Sequence, residues 1–168
     1  RSSRTQNSMR VLSFDPGYER LGVAVMEDGQ KLPLVIYSEC FKTSKTLSQP
    51  ERLANISEKI KSLILEFKPE VVSLEKLFFQ KNQKTALKVA EVRGIILSLA
   101  SASLAEVVEF SPQEIKIAVT GYGNADKRSV MKMVPVLVSG LKKTESDDEI
   151  DAVAIGVTTI STRAFHRK

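Results

Sequence analysis

The chain has 168 residues, a net charge of 25 − 20 = +5 and an ordinary globular balance of 42% hydrophobic and 27% charged residues. That is about one domain, long enough to bury roughly 70% of its unfolded surface without a metal or disulfide scaffold. The composition excludes a disordered, collagen-like or low-complexity chain, and no run of ~18 apolar residues reads as a membrane span.

The first eight residues hold two arginines, no acid and no apolar pattern. They are expected to be a disordered arm or a remnant ahead of Met9, with residues 9–168 forming one domain. Residues 10–15 read as a strand that stops at Pro16-Gly17. Residues 21–26 and 32–41 read as two more strands, joined by short turns into an antiparallel meander. Pro50 opens a helix whose Leu53, Ile56, Ile60, Leu63, Ile64 and Phe67 recur at helical spacing, and Lys68-Pro69 stops it. Residues 71–79 begin apolar and β-branched, as a buried strand does. A long helix over 83–103 and a fifth strand over 106–110 follow.

Ser111-Pro112-Gln113-Glu114 is a capping box with proline at the first helical position, and Gly121-Tyr122-Gly123 breaks that helix. Asn124 is the expected cap of the next helix, which Pro135 kinks or ends. Ser146-Asp147-Asp148-Glu149 is a second box, opening a last helix to about residue 162. The order predicts an α/β fold: one five-stranded mixed sheet, three antiparallel strands then two parallel ones, with helices on both faces.

One cysteine (Cys40) and one histidine (His166) leave no disulfide framework, Cys-rich zinc site or histidine triad. They also make a reducing compartment, the cytoplasm, the default. Chemistry, if any, must come from carboxylates, lysine, serine or tyrosine. Four acids stand out. Asp15 ends the first strand, and Glu75 interrupts an apolar strand. Asp148 and Asp151 share a face at the start of the last helix. Each has a plain structural explanation. Asp15 fits a turn, Glu75 fits a pair with Lys76 or Lys81, and Asp147, Asp148 and Glu149 fit the positive end of a helix dipole. Asp151 fits least, because residues 152–160 after it carry no charge.

The first and fourth strands are natural neighbours, so all four acids fall at one sheet edge. Such a cluster must be protonated or neutralised by cations. Mg²⁺ accepts these ligands, and two ions roughly 4 Å apart serve phosphodiester hydrolysis.

Lys81, Lys84 and Lys88 share a helical face after the Glu75 strand, a solvated face or a polyanion-binding one. Lys127 and Arg128 open a helix where the dipole disfavours cations, which phosphate contact would offset. Phe78 and Phe79 would face opposite sides of a strand, leaving one free to stack on a base or both in the core. On the long helix, Val89, Ala90, Val92, Ile95, Ile96, Leu97, Leu99 and Ala100 cover more than one core-facing stripe. A two-fold dimer would bury the excess.

Asp15-Pro16-Gly17, the segment from Glu75 to Asn82, the helix from Ala86 to Gly94, the stretch from Lys116 to Lys127, and Asp148-x-x-Asp151-Ala152 occur together in this order. The set resembles the RuvC Holliday-junction resolvases of the ribonuclease H-like superfamily, over residues 9 to about 162. The resemblance implies a ribonuclease H-like sheet, a homodimer, and Mg²⁺ or Mn²⁺ in the active site. It also implies paired symmetric nicks in a four-way DNA junction during recombination and repair.

By position it makes Asp15, Glu75, Asp148 and Asp151 the catalytic, metal-holding acids. Some members have histidine where Asp148 stands, and Asp147 is a rival that the spacing disfavours. Lysines matching Lys116 and Lys127 support activity, and Phe78 matches a stacking phenylalanine. A branch-migration helicase is a further candidate partner. A junction-binding module without catalysis and a related nuclease acting on RNA stay open as alternatives. A phosphotransferase of the actin or sugar-kinase type would need two such domains.

Overall fold

The computed structural model describes residues 8–77, 83–144 and 146–166. Strands β1 (Arg10–Pro16), β2 (Arg20–Glu27) and β3 (Leu34–Lys42) form the antiparallel meander. Strand β4 (Val71–Glu75) runs parallel to β1, and β5 (Glu106–Phe110) parallel to β4. The sheet order is β3-β2-β1-β4-β5, the mixed arrangement expected from the sequence. The helices are α1 (Gln49–Phe67), α2 (Gln83–Ala102), α3 (Pro112–Thr120), α4 (Lys127–Leu137) and α5 (Asp147–His166).

Strand pleating sorts the core into two layers. Leu12, Phe14, Val23, Val72 and Leu74 meet Ile56, Ile60 and Leu63 of α1 and Val92, Ile96 and Ala100 of α2. Val11, Ala24, Met26 and Val71 meet α5 and, beyond it, Ile115 and Val119 of α3 and Val130 and Val134 of α4. The uncharged run Ala152–Ile160 is buried because α5 lies flat on the sheet. Its polar groups are satisfied there: Ser13 Oγ donates to the Ala152 carbonyl at 2.7 Å, and Thr159 Oγ1 donates to Ser73 Oγ at 2.8 Å. Gly156 makes the close approach feasible, since a Cβ there would meet Met26 Sδ at 2.4 Å.

Ser13 and Ser73 thus face α5, and a period of two puts Asp15 and Glu75 on that same face. Phe14 pairs with Leu74 in the parallel register, so the two acids follow at neighbouring strand ends.

Several details differ from the sequence reading. Strand β2 runs one residue further at each end, Arg20–Glu27, β3 starts two residues later and ends one later, Leu34–Lys42, and α5 continues to His166. Strand β4 stops at Glu75 rather than residue 79; its neighbour β1 ends at Pro16, which has no N–H to extend the sheet. The strand-based argument about Phe78 and Phe79 lies outside the described residues. Asp126, not Asn124, caps α4, accepting the Ser129 N–H at 2.8 Å. The Ser146 box is half a box. Ser146 Oγ accepts the Glu149 N–H at 3.4 Å, but the Glu149 carboxylate accepts from Ser38 and Thr144, both at 2.6 Å. Glu149 therefore ties α5 to β3 instead of closing its own cap.

Candidate active site

Three elements deliver the acids. Asp15 and Glu75 come from the ends of β1 and β4, and Asp148 and Asp151 from the first turns of α5. The crossing of α5 over β2 fixes the second pair. A Cβ at Gly22 would stand 1.9 Å from the Asp148 carbonyl oxygen and 3.1 Å from Asp15 Cβ. Only a glycine lets the helix backbone settle that close. Around Asp148, Arg20 Nη1 lies 3.6 Å from Oδ2 and Cys40 Sγ 3.7 Å from it.

Glu75 stands between two clefts. One, of about 160 Å³, holds Asp15, Glu75, Lys76 and Arg93. The other, of about 190 Å³, holds Glu75, Lys116, Lys127 and Asp151. Arg93 of α2 donates from Nη1 to the Glu75 carbonyl at 2.6 Å and pairs through Nη2 with Glu109, which fixes the end of β4. Lys76 reaches Glu114 at 4.0 Å and Lys116 is the cation that acts on Glu75, so of the two structural pairings open to Glu75 the one with Lys76 does not form, and Lys81 lies outside the described residues.

The electrostatics mark the cluster. Burial pushes the Asp15 carboxyl up from 3.8 to about 8, reinforced by Asp151, Asp148 and Glu75 and only partly relieved by Lys127. Glu75 is also raised, by burial and by Asp151, against the pull of Lys116. Asp151 is raised by burial despite its ion pair with Lys127. Lys127 Nζ lies 3.2 Å from Asp147 Oδ2 and 3.3 Å from Asp151 Oδ2. Burial alone would lower its ammonium, but these carboxylates outweigh that and hold it above its usual range.

Four carboxylates against Lys116 and Lys127 make an anion-rich oxygen set, which fits hard divalent cations. Among the described residues no three of them already converge as a metal cage. The Asp151 carboxylate is turned to Lys127 instead, at 3.3 Å.

The structure thus brings together Asp15, Glu75, Asp148, Asp151, Lys116 and Lys127 at one end of the sheet. Arg128 is exposed beside Lys127 at the start of α4. Lys84 and Lys88 are exposed on α2, with Lys88 Nζ 4.2 Å from the Tyr18 ring centroid. Phe78 and Lys81 lie outside the described residues. Sequence reasoning missed the close approach at Gly22 and the grip of Arg93 on the end of β4. A glycine inside a strand was the available signal for the first.

A family model described as crossover junction endodeoxyribonuclease RuvC matches residues 11–159. A relative of that name from Thermosipho melanesiensis is 40% identical over 148 residues, covering 88% of this chain and 94% of the relative. Another of that name, from Brevibacillus brevis, is 38% identical, covering 94% and 95%. The solved structure of T. thermophilus RuvC in complex with Holliday junction substrate superposes with a TM-score of 0.86 at 28% identity, covering 94% of this chain and 96% of that one. A yeast mitochondrial Holliday junction resolvase, at 14% identity and TM-score 0.69, shares the fold. The ends of two parallel-paired strands and the start of one helix carry the acids within the matched residues, and this chain belongs to the RuvC family of crossover junction endodeoxyribonucleases.

Proposed function

We propose that this chain resolves four-way DNA junctions by nicking two opposing strands, using divalent cations held by Asp15, Glu75, Asp148 and Asp151. The observation that carries the reading is the raised Asp15 carboxyl. An acid pushed to about 8 by burial first, and then by three neighbouring carboxylates, would gain a charged state when a cation arrives. Two Mg²⁺ ions, with Mn²⁺ as a substitute, supply Lewis acidity for phosphodiester hydrolysis there. Asp15 and Glu75 orient them from the rigid sheet, and Asp148 and Asp151 close the site from α5. Lys116 and Lys127 place ammonium groups at the cleft wall, where a phosphate would sit. Asp147 as well as Asp151 holds Lys127 at the mouth, so the lysine would keep one carboxylate partner if Asp151 held a cation. Lys84, Lys88 and Arg128 extend the positive surface for the DNA backbone.

A homodimer supplies the second nick. Support comes from α2, where Val92, Ile96 and Ala100 are wholly buried while Leu87 remains 64% exposed on the same helix. The helix has apolar surface beyond what its own core covers.

The test is a substrate panel in Mg²⁺ and in EDTA: a mobile four-way DNA junction, linear DNA duplex, and RNA duplex. Junction nicking only with Mg²⁺ supports the reading. Junction binding without nicks in Mg²⁺ or Mn²⁺ identifies a binding module. Equal cutting of linear duplex or RNA removes junction selectivity.

A further inference from the structure

Beyond the carboxylates, the β1–β2 turn carries an aromatic ring with two cations on it. Tyr18 lies three residues past Asp15. The Arg52 guanidinium of α1 lies 4.4 Å from its ring centroid, and the Lys88 ammonium of α2 lies 4.2 Å from the same point. Both are cation–π distances.

Arg52 is an unusual member of that trio. It is 4% exposed, and its Nη2 donates to the Ser44 carbonyl at 3.1 Å. Its Nε and Nη1 are buried with no hydrogen-bond partner, and among the described residues it makes no ion pair. A buried charge without a counter-ion is costly, and nothing in a core requires one. The surroundings are built to hold it in place. The Thr43 N–H donates to the Glu19 carbonyl at 3.1 Å, which ties the β3–α1 loop to the Tyr18 turn. Arg52 grips the next residue of that loop, Ser44, and the Tyr18 ring at once.

Two like charges on one ring repel each other, and an anion beside them relieves both. The exposed member is Lys88, whose neighbour Val89 lines the same cleft as Asp15 and Glu75. A free lysine loses side-chain entropy on gripping a phosphate; one already resting on a ring loses less. We propose that Arg52, Tyr18 and Lys88 form a phosphate subsite next to the catalytic acids, in which Tyr18 is a positioning residue that presents the Lys88 ammonium to a backbone phosphate of the bound DNA strand. This rests on the nuclease reading above, and it adds Tyr18 and Arg52 to the substrate-binding machinery.

The test is junction binding in EDTA, read by fluorescence anisotropy across a salt series, for Tyr18→Phe, Tyr18→Leu, Lys88→Met and the Tyr18→Leu/Lys88→Met double variant. Tyr18→Phe keeps the ring and is expected to bind like wild type. Tyr18→Leu and Lys88→Met are each expected to weaken binding by roughly 3- to 30-fold, the range of one cation–π contact. The double variant is expected to be no weaker than Lys88→Met alone. Lys88→Met should lower the salt slope by about 0.9, one phosphate contact.

Wild-type binding by Tyr18→Leu, or losses that multiply in the double variant, would overturn the proposal. Lys88 is exposed and its variant is not expected to disturb folding, so an unchanged salt slope in Lys88→Met overturns it even if Tyr18→Leu folds poorly. Failure of the nuclease reading looks different: wild type would then bind the four-way junction but leave it uncut in Mg²⁺ and Mn²⁺, and the same variants would still report on the subsite through binding.

Discussion

Gly22 of β2 lies directly beneath the backbone of Asp148, with a Cβ position 1.9 Å from that residue's carbonyl oxygen. The contact is with main chain, which cannot rotate away. A methyl group at residue 22 must lift the start of α5 off the sheet, and with it Asp148 and Asp151. Gly22→Ala is expected to cut junction cleavage by ~100-fold or more, the usual effect of an ångström-scale misplacement. Overpacking of ~1–3 kcal/mol should also lower the melting temperature by several degrees. Cleavage rates and a thermal melt measured together check this.

Asp15 opposes folding when no cation is present. Its carboxyl titrates near 8 in the folded chain against an ordinary 3.8, so the folded state binds the extra proton throughout that window. Stability must then fall as pH rises from about 4 to 8. Glu75 and Asp151 are raised as well and act in the same direction. In EDTA, Asp15→Asn is expected to melt higher than wild type at pH 8 and to show a flatter pH profile. Mg²⁺ should stabilise wild type more at pH 8 than at pH 6, and should stabilise Asp15→Asn little. Melts over pH 5–9 with and without Mg²⁺ are the measurement.

Arg93 acts through Glu75. Its Nη1 holds the Glu75 carbonyl at 2.6 Å while Nη2 pairs with Glu109, so it anchors the strand end from α2. Arg93→Met should slow cleavage by roughly 10- to 100-fold through kcat if Glu75 acts at the reacting phosphate as proposed, since the strand end that carries it would shift. Junction affinity in EDTA should change less than threefold, since this guanidinium is committed to protein partners. Single-turnover rates and anisotropy separate the two.

Asp147 and Asp148 are adjacent acids with different partners. Asp147 is half-exposed and paired with Lys127, a geometry worth about 0.2–1 kcal/mol. Asp148 is turned to Arg20 and Cys40 over the sheet and contributes to raising Asp15. Asp147→Asn is expected to reduce cleavage less than ~10-fold, and Asp148→Asn at least ~100-fold. Comparable losses in the two would show that Asp147 shares the metal-holding role.

Much of this was legible in the residues themselves. The meander followed from short turns, the parallel strands from the intervening helices, and the buried run after Asp151 from its lack of charge. The acids at the ends of β1 and β4 were legible because strand alternation and neighbour order are both encoded locally. What stayed hidden depends on contacts between distant segments. Gly22 reads as an ordinary strand glycine until α5 is laid across it. Arg52 reads as a polar position early in an amphipathic helix, although the fold buries it against the Tyr18 turn. Glu149 completes a capping-box pattern, yet Ser38 on β3 and Thr144 outcompete its own helix for the carboxylate. Strand β4 looked longer because apolar residues continue past Glu75, while its partner had already ended in proline.

The central claim is that the four acids make this chain a metal-dependent junction resolvase. Labelling each strand of a mobile four-way junction in turn, in Mg²⁺, with wild type and Asp15→Asn side by side, tests it most directly. The expected result is paired nicks at symmetric positions on two opposing strands, lost in Asp15→Asn while junction binding persists. Nicks that survive in Asp15→Asn, or an uncut junction despite tight binding by wild type in Mg²⁺ and Mn²⁺, would contradict it.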